Sequence, residues 1–303
     1  MSPETHAPGW EWFFVAGYFF VAGVSAGAYF IGSLAELFGD ERHKEISRTG
    51  YYIAFPLVLL TPPLLIGDLG RPERFWHLML HGGTGIPYVN LQSPLSVGSW
   101  ALLVFGGISL LSFLDNLVAE GKLRSAPFAA AYRRLPRKLY AAFGSAAGFF
   151  VAGYTGVVLN ITARPLWAAS DPLVGALFIA SSASTGAAAI YLVLAARKML
   201  PGLRLAPFER FERLAKIIEI VLAITVVLIA GKFAAPLLRG GYAAMYWGGA
   251  VLLGMLVPLA VGWYAKRTGA GGEPSPGLAT AMAVLVLLGG AFLRISLVQA
   301  GQV

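Results

Sequence analysis

Residues 12–37 read WFFVAGYFFVAGVSAGAYFIGSLAEL, twenty-six positions whose one charged side chain, Glu36, stands at the end. About 20 apolar residues in a helix suffice to cross a bilayer, and a helix that is apolar all round belongs in a membrane or a large core. The run predicts a membrane-spanning helix. Seven further runs of that kind follow, at about 50–67, 95–118, 139–160, 172–196, 214–235, 244–265 and 278–298. The sequence therefore predicts an all-α integral membrane protein with eight transmembrane helices.

Composition agrees. Of 303 residues, 57% are hydrophobic and 13% charged, against roughly 25% charged in an ordinary soluble domain, and the mean hydropathy is +0.70. Cysteine is absent, so the chain has no disulfide, no thiolate metal site and no means of ligating an iron–sulfur cluster. His6, His43, His77 and His81 lie in the N-terminal tail or in polar segments, which disfavours a haem held between apolar helices. The net charge of +8 comes from Lys and Arg flanking apolar runs, so it reads as a topology signal and not as a nucleic-acid surface. The first eleven residues contain Glu4 and Glu11 and no Lys or Arg, unlike a cleavable signal peptide, so the first run is expected to stay as an anchor.

Seventeen of the 23 Lys and Arg residues fall after helices one, three, five and seven or at the start of helix six. The opposite side has only Arg71, Arg74, Arg164, Lys232, Arg239 and Arg294. By the positive-inside rule both termini are outside, together with the long segment 68–94 between helices two and three. Pro56, Pro62 and Pro63 interrupt helix two and predict a kink. Residues 269–277 read as a surface loop. Gly23 and Gly27 in helix one and Gly144, Gly148 and Gly153 in helix four suit close helix packing.

Three polar constellations converge on the outer side. The first is GDLGRPERFW at 67–76, an acid and two arginines directly after an apolar helix; a capped helix end with a local ion pair would also explain it. The second is Ser93-Pro94 with Gly98 and Trp100 entering helix three, where an interfacial Trp alone is unremarkable. The third runs from Tyr154 through Asn160 to Arg164-Pro165-Leu166-Trp167. At 1.5 Å per residue Tyr154 lies roughly 9 Å below the end of helix four, a depth suited to a lipid-soluble headgroup. Tyr18 lies at a similar depth in helix one. A quinone carbonyl wants a donor, and its reduction needs two protons beside an apolar slot; Tyr18, Asp68 and Tyr154 supply those types. His77 and His81, at i and i+4, would share a face of a short helix. Two histidines without a third ligand do not make a metal site, and none is expected.

Taking 100° per residue, Tyr18, Ser25, Tyr29 and Glu36 fall within about 20° of one line along helix one. That stripe could carry protons, although a solvated Glu36 and hydroxyls bonded to helix neighbours explain it too. Glu212 and Lys216 are spaced to pair, with Glu219 one turn deeper, where it either adds to a proton route or joins a packing pair.

The order Asp-Leu-Gly-Arg-Pro with Arg-Phe-Trp, then Ser-Pro with a downstream Gly and Trp, then Tyr, Asn and Arg-Pro-Leu-Trp resembles the NrfD-like membrane subunits of polysulfide-reductase-type complexes. The resemblance covers roughly residues 12–168, and beyond that rests on helix count. It implies an N-terminal four-helix bundle, residues 1–168, that holds a quinone site, with four further helices in 169–303. It also implies the quinone-reacting subunit of a respiratory oxidoreductase in the cell inner (cytoplasmic) membrane, which oxidises quinol or reduces quinone (menaquinone or ubiquinone) near the outer surface. Electrons would pass to or from an iron–sulfur partner docked on that face, and through it a molybdopterin-type catalytic subunit.

By the family pattern Tyr154 hydrogen-bonds the quinone, and Asp68 and Arg71 are the motif's acid and base, with Tyr18, His77, Asn160 and Arg164 beside them. Where some members place a histidine in helix one, this sequence has Tyr18; a phenol with a reference pKa near 10 donates a hydrogen bond but exchanges protons poorly. That leaves Asp68, His77 or His81 as proton partners. Rival readings are a secondary transporter, which should show unwound helices near the midplane, and a structural anchor that binds no quinone.

Overall fold

A computed structural model describes residues 12–69, 71–123, 137–200, 206–267 and 275–303. His6, Gly70, the basic residues Arg124, Arg133, Arg134 and Arg204, and positions 269–274 of the expected loop lie outside the described residues. Among the described residues, eight helices are long and apolar enough to cross a membrane. They are α1 (Phe13–Phe38), α2 (Lys44–Gly67), α3 (Pro94–Ala119), α4 (Arg137–Asn160), α5 (Leu173–Ala196), α6 (Arg210–Leu238), α7 (Gly240–Ala265) and α8 (Pro276–Ala300). The last helix starts earlier than its apolar run, because Ser275 caps it and Pro276 takes the first position, where no N–H is needed. Among the described residues there is no strand, only one isolated bridge between Leu80 and Pro87.

Helix α1 forms the axis of the bundle, packing against α2, α4 and α5 and more lightly against α8, while α8 packs on α5 and α7. In a bilayer the lipid is as apolar as leucine, so helices associate through close packing and polar contacts. The α1–α5 crossing shows it: a Cβ at Gly27 would overlap the Ser182 carbonyl, and one at Gly186 would overlap the backbone of Gly27. Side chains turned away from the bundle are apolar, with Leu228 72% and Phe143 67% exposed, as contact with lipid requires.

Helix α2 continues through Pro56, Pro62 and Pro63. Proline at 62 deprives the Val58 carbonyl of its helical donor, and the Thr61 hydroxyl replaces it at 2.6 Å. Beyond α2 the backbone makes a 3₁₀-helix, Pro72–Leu78, then folds back: the His81 N–H donates to the Ile86 carbonyl at 2.9 Å and the Tyr88 N–H to that of Met79 at 2.9 Å. Trp100 of α3 clasps this segment through Nε1 to the Tyr88 carbonyl, 3.1 Å away. His77 and His81 therefore do not share an α-helical face. His77 is in the last turn of the 3₁₀-helix and stacks on Trp76 at 3.7 Å, whereas His81 lies past it, edge-on to Tyr88.

Candidate functional site

Three cavities stand out among the described residues. One, of about 310 Å³, is an apolar groove by Phe38, His43 and Phe211 at the basic end of α1. Another, of about 470 Å³, runs between α2 and α3. The third, about 190 Å³, is the one that gathers chemistry: it is lined by Tyr18, Asp68, Ser99 and Tyr154 on otherwise apolar walls that include Phe19, Leu65 and Val158. These residues come from the first four helices, all at the end where α1 begins and α2 stops.

Tyr18 and Tyr154 are buried, 3% and 9% exposed, and Asp68 is half-buried at the C-cap of α2. The Tyr154 hydroxyl donates to the Pro94 carbonyl at the first turn of α3. Its ring lies against Gly98, where any Cβ would collide with it; this is what Gly98 is for. Ser93 accepts from the Ser96 N–H and Pro94 follows it, so the Ser-Pro pair starts α3 where its carbonyl meets the phenol. The Ser99 hydroxyl donates to the Leu95 carbonyl at 2.8 Å. Helix α3 is thus a wall of the site beside α1, α2 and α4.

The other residues implied by the resemblance sit elsewhere. Arg71 and His77 are exposed on the loop and do not line the cavity. Asn160, buried, donates to Asp171 at 2.9 Å, and Arg164 donates to the Gln302 carbonyl at 3.3 Å. With Trp167 Nε1 on the Leu297 carbonyl at 2.8 Å, the Asn…Arg-Pro-Leu-Trp stretch ties the α4–α5 connection to the end of α8. Geometry alone gives these positions a tertiary role.

In the polar stripe of α1, Tyr18, Ser25 and Tyr29 are buried and Glu36 is half-buried, and the last three are hydrogen-bonded. Ser25 donates to the Ala54 carbonyl at 2.7 Å, and the hydroxyls of Tyr29 and Ser112 are 2.7 Å apart. Ser33 meets Tyr51 at 3.3 Å, and Ser47 donates to Glu36 at 2.9 Å.

A second polar cluster was not legible as such. Arg294, counted from the sequence with the cations of the outer side, is 0% exposed. Its guanidinium donates to the carbonyls of Phe19 and Gly290, each at 3.0 Å, and to the hydroxyls of Ser181 and Ser182 at 3.0 and 3.1 Å. Glu219, 3% exposed, faces Ser181, Ser184 and the charges of Arg294 and Lys216. Lys216 in turn pairs with Glu212, as their spacing suggested. The available signal was the position of Arg294 inside an apolar run, where an ionisable residue turns inward. Among the described residues no group of three or more His, Cys, Asp or Glu side chains could hold a metal ion.

Eight bundled apolar helices among the described residues, with a small cavity near one end that carries two phenols and a carboxyl on apolar walls, define a multi-pass membrane protein. The chain belongs to the polysulphide reductase NrfD family, whose model matches residues 3–303. It is similar to the C component of polysulfide reductase from Wolinella succinogenes, 28% identical over 97% of this protein and 94% of that one. It is also similar to the C component of selenate reductase from Mesobacillus selenatarsenatis, 26% identical over 40% of this protein and 24% of the other. It is accordingly a membrane subunit of a reductase-type complex.

Proposed function

We propose that this protein is the quinone-reacting subunit of a respiratory oxidoreductase, with the headgroup in the cavity between Tyr18, Asp68 and Tyr154. The observation that carries the reading is the convergence of two phenols and a carboxyl from three helices on one apolar-walled cavity. Those residues fit a quinone headgroup, which needs hydrogen bonds at its two oxygens and flat apolar surface between them. Reduction of a bound quinone takes two electrons and two protons. Tyr154 turns its O–H from the Pro94 carbonyl to a headgroup oxygen, Tyr18 donates from the buried side, and Asp68, at the partly open mouth, holds and exchanges the proton through its carboxyl.

The cavity lies at the end opposite the Lys- and Arg-rich connections, and the positive-inside rule makes that end the outer face of the cell inner membrane. A protein without cysteine passes electrons to a partner, and an iron–sulfur subunit docked over residues 71–93 would stand nearest the headgroup. The names of the relatives, both of them reductase components, support a catalytic subunit beyond it, and the molybdopterin type is part of the proposal. Two polar lines leave the cavity's neighbourhood for the basic end: the buried Ser25 and Tyr29 with the half-buried Glu36 along α1, and the buried Arg294 to Glu219. Either offers a proton route through the bundle.

Tyr154→Phe tests the site. It removes the donor and keeps the ring that Gly98 accommodates, so the complex should assemble at parental yield. The lost hydrogen bond, about 0.5 to 1.5 kcal/mol net and more where an acceptor stays buried and unpaired, is expected to lower quinone turnover several-fold. Parental turnover would remove Tyr154 from the site.

A further inference from the structure

Among the described residues, all those that line the headgroup cavity lie between Val15 and Val158, so the second half of the protein gives it no wall. That half reaches the cavity from behind. Val15, Tyr18 and Phe19 of α1 form one wall, where the backbone passes from a π-helix, Trp12–Ala16, into α-helix from Gly17. The Tyr154 hydroxyl is tied to the Pro94 carbonyl, whereas among the described residues no hydrogen bond holds that of Tyr18. The place of the Tyr18 phenol is therefore set by its backbone and by the packing of its ring.

Arg294 of α8 acts on both. Its Nε donates to the Phe19 carbonyl at 3.0 Å, one residue beyond Tyr18. Nη1 donates to Ser181 and the Gly290 carbonyl, and Nη2 to Ser182, so the fork joins α1 to α5 and α8. Its centre lies 5.1 Å from that of the Phe178 ring, which is 5.9 Å from the Phe19 ring, itself 5.4 Å from that of Tyr18. Glycines make room for it: a Cβ at Gly23 would stand 2.4 Å from Nη2, and one at Gly290 3.5 Å from Nη1. A planar guanidinium with fixed donors can hold these acceptors together, whereas an ammonium on a flexible stem cannot. Arg294 does not itself line the cavity.

We propose that Arg294 is a positioning residue for the headgroup cavity, an inference that rests on the quinone reading above. By fixing the Phe19 carbonyl and packing behind its ring, it holds the Tyr18 phenol where the headgroup binds. The second half of the protein thereby contributes to the site without touching it.

Equilibrium binding of a fluorescent quinol-analogue inhibitor, a hydroxyquinoline N-oxide, to the purified complete complex reads the cavity without turnover. Arg294→Lys keeps the charge and loses the fork, and Kd is expected to rise about tenfold, the scale of one charge-assisted hydrogen bond. Tyr18→Phe alone should raise it about fivefold. Because Arg294 acts through Tyr18, the two effects should not multiply: in the Tyr18→Phe protein, Arg294→Lys should raise Kd by only about twofold. Gly23→Ala, which keeps Arg294 and pushes its fork from the Phe19 carbonyl, should show the same coupling and serves if Arg294→Lys does not assemble. Trp247→Phe removes a bond to the Leu237 carbonyl between α6 and α7 and should leave Kd unchanged. Effects of Arg294→Lys or Gly23→Ala that multiply with that of Tyr18→Phe, or that Trp247→Phe reproduces, would overturn the proposal and leave Arg294 a general brace. If the parental complex does not bind the inhibitor, the quinone reading itself fails and the positioning role with it.

Discussion

Arg294→Met is expected to cost the bundle about 3 to 5 kcal/mol, the usual penalty for removing one partner of a buried charged cluster. The side chain is wholly buried and serves four acceptors on α1, α5 and α8. Without it the Phe19 carbonyl loses a donor and Glu219 is left facing Lys216 and two serines in the centre of the protein. Unfolding in detergent, followed by tryptophan fluorescence, should shift down by on the order of 10 °C. Glu219→Gln in the same protein should recover part of the loss, because the acid is then no longer stranded. A double variant less stable than the single one would show that Glu219 does not depend on Arg294.

The second large effect is expected at Asp68. Asp68→Asn keeps the shape of the α2 C-cap and removes the exchangeable proton, so quinone turnover should fall by about 100-fold, within the range of a positioned acid–base group. Position and chemistry can be separated: if the complex forms at parental yield and its partner still accepts electrons from an artificial donor, the loss belongs to proton exchange. Reduced yield with normal turnover per complex would instead assign Asp68 to assembly.

The eight helices were legible because the bilayer sets both their length and their composition, so apolar runs alone delimit them. The convergence of Tyr18, Asp68 and Tyr154 was legible for a related reason: alternate helices run in opposite directions, which puts the start of α1, the end of α2 and the end of α4 at one surface. Which helix closes the remaining wall is a matter of lateral packing, and no periodicity encodes it. Gly98 was visible as a small residue, but its reason, the Tyr154 ring, is a contact between residues 56 positions apart. That Arg294, counted with the cations of the outer side, turns into the bundle was not legible, because its partners lie on α1 and α5 as well as on its own helix. His77 and His81 were misjudged because the spacing argument assumed an α-helix, and a Pro-initiated 3₁₀-turn carries only the first of them. Asn160 and Arg164 hold the α4–α5 connection on Asp171 and the C-terminus, a distant tertiary relation that local motifs do not reveal.

The most direct measurement is a titration of the purified complex, with its iron–sulfur partner, using a soluble quinol analogue while the oxidation state of the partner's clusters is followed. Reduction of the clusters by quinol, reversed by the corresponding quinone and abolished by a headgroup-competitive inhibitor, is the expected result. Clusters that respond to an artificial donor yet stay unchanged at every quinol concentration would contradict it, and would make this protein a structural anchor.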